Sequence, residues 1–250
     1  MTNKDKIISK FHEIKKLGFV KSRRRNNTGI GKTFEDYIGV VENNINKPDL
    51  FGYEIKSHRE LAQSYITLFT KTPSFPKGAN TFLKEKFGMP YEDNPNLKKL
   101  HTSMFANKAN SYCGKYAFQL INDKKKKCIF IAIFSLRTKK LVDCSCGYTY
   151  DDIEKVMRKK LKSLFYVTAE TKTDKKKNEY FWFNKAEIYD SPSLKKFLTL
   201  LDKGLIRFDI RIGSYHSGEN YGKAHDHGSG FRISEKNLNK LYSNNEKIDY

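Results

Sequence analysis

The run Cys128-Ile-Phe-Ile-Ala-Ile-Phe-Ser-Leu136 is the longest apolar stretch of the chain. It falls well short of the roughly 20 residues a helix needs to cross a bilayer. Its β-branched and aromatic side chains predict a buried strand instead. A lysine run, Lys124–Lys127, precedes it, and a second, Lys175–Lys177, separates two further apolar segments at Phe165–Thr171 and Glu179–Ile188. Polar runs between strands read as hairpin tips, solvated and basic.

Around these strands the spacing predicts helices. Ile7, Ile8, Phe11 and Ile14 mark one over Lys4–Leu17, and Phe34, Tyr37, Ile38 and Val41 mark another beginning at Thr33. Further helices are expected at Ala79–Phe87, at Asp151–Leu164, from Ser191 to a left-handed cap at Gly204, and at the C-terminus. Strands are expected at Tyr53–Ser57 after Pro48, and at Tyr65–Thr70, Tyr116–Ile121, Leu141–Tyr148, Ile206–Ile212 and Gly230–Ile233. The polar stretch up to Tyr112 reads as irregular. The class is mixed α/β.

Lys and Arg number 48 against 28 Asp and Glu, a formal charge of +20. Such an excess selects polyanions, either nucleic acid or an anionic membrane. The N-terminus lacks a secretory apolar region and a cleavage site, so a cytoplasmic protein is expected. Cys113, Cys128, Cys144 and Cys146 then read as reduced thiols, and their spacing matches no zinc motif.

Gly29-Ile-Gly31-Lys32-Thr33 resembles the tail of a phosphate-binding loop. The motif requires a further glycine at position 26, which is Asn26, and a buried strand upstream, where Lys21–Arg25 is polar and basic. Nucleotide hydrolysis is therefore disfavoured. A tight turn at the glycines, a helix cap at Thr33 and close approach of a DNA backbone fit better. Arg23, with Arg24 and Arg25, and Lys32 supply matching cations.

Pro48-Asp-Leu-Phe-Gly-Tyr-Glu-Ile-Lys56 carries the strongest chemical signal. On a strand, Glu54 and Lys56 share a face, and Asp49 can turn back toward them. Two carboxylates suit a hard divalent cation such as Mg²⁺, with Mn²⁺ as a substitute. Lys56 would hold the attacking water or the developing charge, as phosphodiester hydrolysis requires. The same triplet also arises on solvated strand faces without function. Glu35 is an auxiliary acid on the preceding helix in this reading. In the plainer one it complements the helix N-terminus.

Arg207, Asp209 and Arg211 alternate with Phe208, Ile210 and Ile212. One face packs inward; the other can meet G·C pairs, arginine through guanine O6 and N7 and aspartate through cytosine N4. His225, Asp226, His227 and Arg232 add donors nearby. Surface ion pairs of little energy are the competing account of the first three, and His225-x-His227 is also a partial transition-metal pair.

Taken in order, TGIGKTFED, PDLFGYEIKS, LFTKTP, GANTFL and RIGSYHSGENYGKAHDHGSGFRI resemble the MvaI/BcnI group of type II restriction endonucleases, itself related to the MutH nicking enzyme. The resemblance implies a PD-(D/E)xK nuclease core, a mixed β-sheet flanked by helices, in two lobes around a DNA-binding cleft. Residues 1–150 would form mostly the catalytic lobe and 151–250 mostly the recognition lobe, with interleaving. It also implies Mg²⁺-dependent hydrolysis of duplex DNA, one strand at a time, by a monomer. A companion DNA methyltransferase would make no stable complex with it. Asp49 and Glu54 match the metal-binding acids, Lys56 the lysine and Glu35 the helix glutamate. Targets in the group are CCWGG and CCSGG, so an interrupted CC/GG palindrome is expected, with CCWGG favoured. The rivals are a MutH-like strand-nicking repair enzyme and a DNA-binding module without catalysis.

Overall fold

A computed structural model of the chain describes residues 1–26, 28–40, 49–60 and 65–248. Val41 and Pro48, used above in the second helix and the first strand, lie outside them. In chain order the elements are α1 (Asn3–Lys16), β1 (Val20–Lys21), α2 (Gly29–Ile38), β2 (Glu54–Arg59), β3 (Tyr65–Thr70), α3 (Ala79–Phe87), β4 (Met89–Pro90), β5 (Lys98–Met104), β6 (Asn110–Tyr112), β7 (Tyr116–Asp123) and β8 (Cys128–Ser135). There follow β9 (Leu141–Thr149), α4 (Tyr150–Lys160), β10 (Ser163–Thr173), β11 (Glu179–Asp190), α5 (Leu194–Asp202), β12 (Ile206–Ser214), β13 (Ala224–Asp226), β14 (Gly230–Ser234), a 3-10 helix (Glu235–Leu241) and β15 (Asn244–Ile248). The mixed α/β class holds.

The chain forms two compact units. The first comprises 1–64, 157–192 and 238–250; the second comprises 65–156 and 193–237. The chain thus crosses between units four times, and residue 150, expected as a boundary, lies inside the second unit.

In the first unit, β11 and β10 form a long antiparallel pair and β2 runs parallel to β10. β1 and β15 pair with β11. The lysine run 175–177 caps the β10–β11 hairpin, as expected. α1 and α2 cover one sheet face, where Phe11 meets Phe165 and Phe34 meets Phe183 at ring separations of 5.9 and 4.9 Å. Ile7, Phe11, Ile30, Phe34, Ile38 and Ile55 are buried in this core. Successive strand residues face opposite ways, so burial of Ile55 turns Glu54 and Lys56 to the other face.

α2 begins four residues earlier than the sequence suggests. Its buried stripe starts at Ile30, and the glycines lie inside the helix rather than in a turn. A Cβ on Gly29 would stand 2.3 Å from the Arg24 carbonyl oxygen, so glycine permits the basic segment to lie against the helix. Thr33 is no cap. Fully buried, its hydroxyl donates to the Gly29 carbonyl at 2.7 Å and accepts from the Arg23 amide at 2.9 Å.

In the second unit, one sheet runs β3-β14-β12-β5-β4 with β13 on β12, and another runs β6-β7-β8-β9. Phe231 centres an aromatic core, with Phe69, Phe197, Phe208 and Tyr148 all within ring separations of 5.1–5.4 Å. Strands β5 and β6 occupy the stretch read as irregular. In β5 only Leu100 and Met104 are fully buried, too few apolar residues to show the alternation of a strand. The expected C-terminal helix is a 3-10 turn followed by a strand. Among the described residues no helix is long and apolar enough to cross a membrane.

Candidate active site and nucleic-acid interface

The spacing of Asp49 and Glu54 has a mechanical cause. Leu50 and Tyr53 exchange backbone hydrogen bonds of 3.1 and 2.8 Å, closing a two-residue turn at Phe51 and Gly52. Both turn residues have positive φ, 50° and 88°, as a mirror-image hairpin turn requires. The chain folds back, and Asp49 Oδ2 accepts from the Ile55 amide at 2.8 Å. Asp49 thus returns beside the strand that carries Glu54.

Glu54 is buried. Its Oε1 lies 3.3 Å from Lys56 Nζ and its Oε2 lies 3.4 Å from Lys160 Nζ. Lys160, at the end of α4, was not singled out in the sequence. Its lysine-rich surroundings hide it among surface charges, and only the α4–β10 connection brings it to Glu54. Aromatic rings continue along the sheet: His58 stacks on Tyr166, Tyr166 meets Tyr189, and Tyr189 meets Tyr242 at 5.3 Å. Burial pushes the Tyr242 hydroxyl far above its ordinary pKa, with the Glu54 and Asp190 charges adding to the effect. Glu35 sits half-buried on α2, its Oε1 3.8 Å from where a Gly31 Cβ would stand. Lys32 pairs with Asp36 at 2.8 Å, and the Arg23 guanidinium lies 5.2 Å from the Tyr37 ring centroid.

The donor set here suits a hard divalent cation. Among the described residues no group of three His, Cys, Asp or Glu converges as a metal cage. Mg²⁺ needs none, because it keeps several waters and binds through one or two carboxylates plus substrate phosphate oxygens. Asp49 and Glu54 provide that number.

The second unit holds a separate constellation. β12 places Phe208, Ile210 and Ile212 in the core and Arg207, Asp209 and Arg211 on the opposite face. Asp209, 3% exposed, anchors the arginines. Its carboxylate lies 2.9 Å from Arg207 Nε, 3.0 Å from Arg232 Nε and 3.4 Å from Arg211 Nη2, and it accepts from Ser103 Oγ at 2.7 Å. A carboxylate has about four lone-pair sites. Three hydrogen bonds reach them, from Ser103 Oγ, Arg207 Nη2 at 3.1 Å and Arg211 Nη2 at 3.4 Å. Asp209 therefore organises the guanidinium groups that line this face.

The arginines are held unequally. Arg207 also lies 3.6 Å over the Tyr65 ring. Arg232 donates to Thr67 Oγ1 and to the Gly228 carbonyl. Burial lowers its pKa, Arg211 and Arg207 add repulsion, and Asp209 opposes both. Arg211 is the most exposed of the three, with a side chain 45% accessible. Arg207, Asp209 and Arg211 line a cleft of about 440 Å³ together with Ser103, His101 and His227. Tyr215 stacks on His225 at 4.3 Å, and His225 lies 4.2 Å from His227. Partial burial, then the neighbouring histidines, holds His101 and His227 below their ordinary pKa. Asp226 is exposed and shapes its loop, accepting from the Gly228 and Ser229 amides and from Asn80.

Comparison with known proteins places the chain in a family. The profile described as the MvaI/BcnI restriction endonuclease family matches residues 8–242. A search of curated proteins gave no match. Two solved structures are similar over nearly their whole length. Restriction endonuclease MvaI in complex with its cognate DNA substrate is 32% identical, covers 96% of each chain and superposes with a TM-score of 0.87. MvaI in the absence of DNA is 32% identical, covers 98% of this chain and 96% of that one, and gives 0.65. The chain belongs to the MvaI/BcnI restriction endonuclease family.

Proposed function

We propose that the chain hydrolyses duplex DNA at an interrupted CC/GG palindrome, CCWGG being favoured, with Mg²⁺ as cofactor, acting as a monomer on one strand at a time. The observation that carries this reading is the return of Asp49, through the Leu50–Tyr53 turn, to the strand bearing Glu54 and Lys56. The DNA bound in the MvaI complex supports duplex DNA as the substrate.

In this reading the first unit is catalytic. Asp49 and Glu54 hold the cation, which when bound polarises the phosphate and acidifies a water. Lys56 orients the attacking water and offsets charge developing on the phosphate. Glu35 is an auxiliary acid from α2. Cleavage leaves a 5′-phosphate and a 3′-hydroxyl. The second unit reads bases: Arg211, with Arg207 and Arg232 beside it, donates to guanine O6 and N7, each good bidentate contact discriminating by about 1–3 kcal/mol. His225 and His227 add donors at the cleft rim, and Asp226 fixes the loop that carries them. Arg23 and Lys32 attract the DNA backbone. A companion methyltransferase would protect host sites without a stable complex.

Digesting a plasmid of known sequence with the purified protein and Mg²⁺, then mapping the fragment ends, tests this reading. Discrete linear fragments ending within CC/GG palindromes are expected. Stable nicked circles would point to a strand-nicking repair enzyme, and intact plasmid under every divalent ion tried would reject catalysis.

A further inference from the structure

Glu54 carries one more ammonium than hydrolysis by the Asp-Glu-Lys motif needs. Lys160 closes α4, whose last turn also holds Arg158 and Lys159. After two intervening residues β10 begins at Ser163, and its Leu164 pairs with Glu54 across the parallel ladder. That short link delivers Lys160 Nζ to 3.4 Å from Glu54 Oε2 while Lys56 Nζ lies 3.3 Å from Oε1. Each oxygen of one carboxylate therefore faces its own lysine, and the Glu54 side chain is only 11% exposed.

A carboxylate held between two ammonium groups is a poor ligand for a free cation. An incoming divalent ion meets fixed positive charge within a few ångströms, in surroundings that screen it less than bulk water. A DNA phosphate at the site restores the missing negative charge.

We propose that Lys160 is a positioning residue that occupies Glu54 Oε2 and so makes divalent-cation binding depend on bound DNA. The proposal rests on Asp49 and Glu54 being the cation ligands. It gives Lys160 a role distinct from that of Lys56: it suppresses metal loading of the DNA-free protein, and with it hydrolysis away from an engaged site.

The test is titration of the full chain with Mn²⁺, reading the free ion by electron paramagnetic resonance, with and without duplex DNA already cleaved by the enzyme. Wild type is expected to bind weakly alone and more tightly with DNA. Lys160→Met, which keeps most of the apolar stem, is expected to bind Mn²⁺ roughly fivefold more tightly without DNA, as loss of about 1 kcal/mol of opposing charge implies, and to gain less from adding DNA. Lys160→Arg, which keeps the charge, should restore the wild-type pattern. Thermal melting of each variant monitors folding, and Lys160→Gln replaces the Met variant if that one melts early. Unchanged or weaker DNA-free binding in the charge-free variant would overturn the proposal. If Glu54→Gln leaves wild-type Mn²⁺ binding intact, the assignment of the cation ligands itself fails, a separate result.

Discussion

A single aspartate governs the proposed reading surface. Asp209 gathers three guanidinium groups and a serine hydroxyl in a position closed to solvent. Removing one partner of such a buried set leaves the others uncompensated, at a cost of about 3 kcal/mol or more. Asp209→Asn is expected to lower unfolding free energy by about that amount in urea titration, and to weaken discrimination between target and non-target DNA more than total DNA affinity. Asp143 offers a cleaner electrostatic test. Burial pushes its carboxyl up, but the Lys86 ammonium at 2.8 Å and the Ser145 donors outweigh this and hold its pKa below the ordinary 3.8. A depressed acid contributes stability above its unfolded value and loses it as pH falls through the folded one. Lys86→Met is therefore expected to destabilise by about 1 kcal/mol at neutral pH, with the difference from wild type closing below about pH 3.8. A gap that persists at acidic pH would mean that the Lys86 contacts with the Phe82 and Phe87 rings, not the Asp143 pair, carry the stability.

At the scale of elements, the hairpin at Leu50–Tyr53 matters most. Gly52, at φ 88°, cannot take a side chain without strain. Gly52→Ala is expected to cost about 1 kcal/mol in melting experiments and to lower kcat by displacing Asp49, with little change in DNA affinity. The D-x4-E spacing was legible because it is a count of residues; the turn that explains it was not, since an aromatic residue at φ 50° is a conformation the sequence does not advertise. Strands with alternation, such as β3 and β12, and the continuous apolar run of β8 could be read directly. β5 could not, yet it supplies Ser103 and His101 to the cleft. The α2 start was missed because Gly29 and Gly31 looked like a turn. Ile30, four residues before Phe34, was the signal that would have extended the helix. The cluster around Asp209 was half legible: Arg207 and Arg211 are its neighbours in sequence as well as in space, and Arg232 joins them only through the β12–β14 pairing.

Across the whole molecule, the order of the chain hides the order of the fold. The first unit draws on three separate stretches and the second on two, so Glu54 and Lys160 meet although 106 positions separate them. A charge of +20 favours any DNA, and in the proposed function what makes a nuclease of the chain is the pair Asp49 and Glu54. Single-turnover cleavage of a target duplex by wild type and by Glu54→Gln, with binding measured on the same DNA, tests that most directly. The account predicts a loss of cleavage of about a thousandfold or more, the several kcal/mol that a cation supplies at a phosphate, with DNA binding changed only a few-fold. A Glu54→Gln protein that cuts at close to the wild-type rate would contradict it.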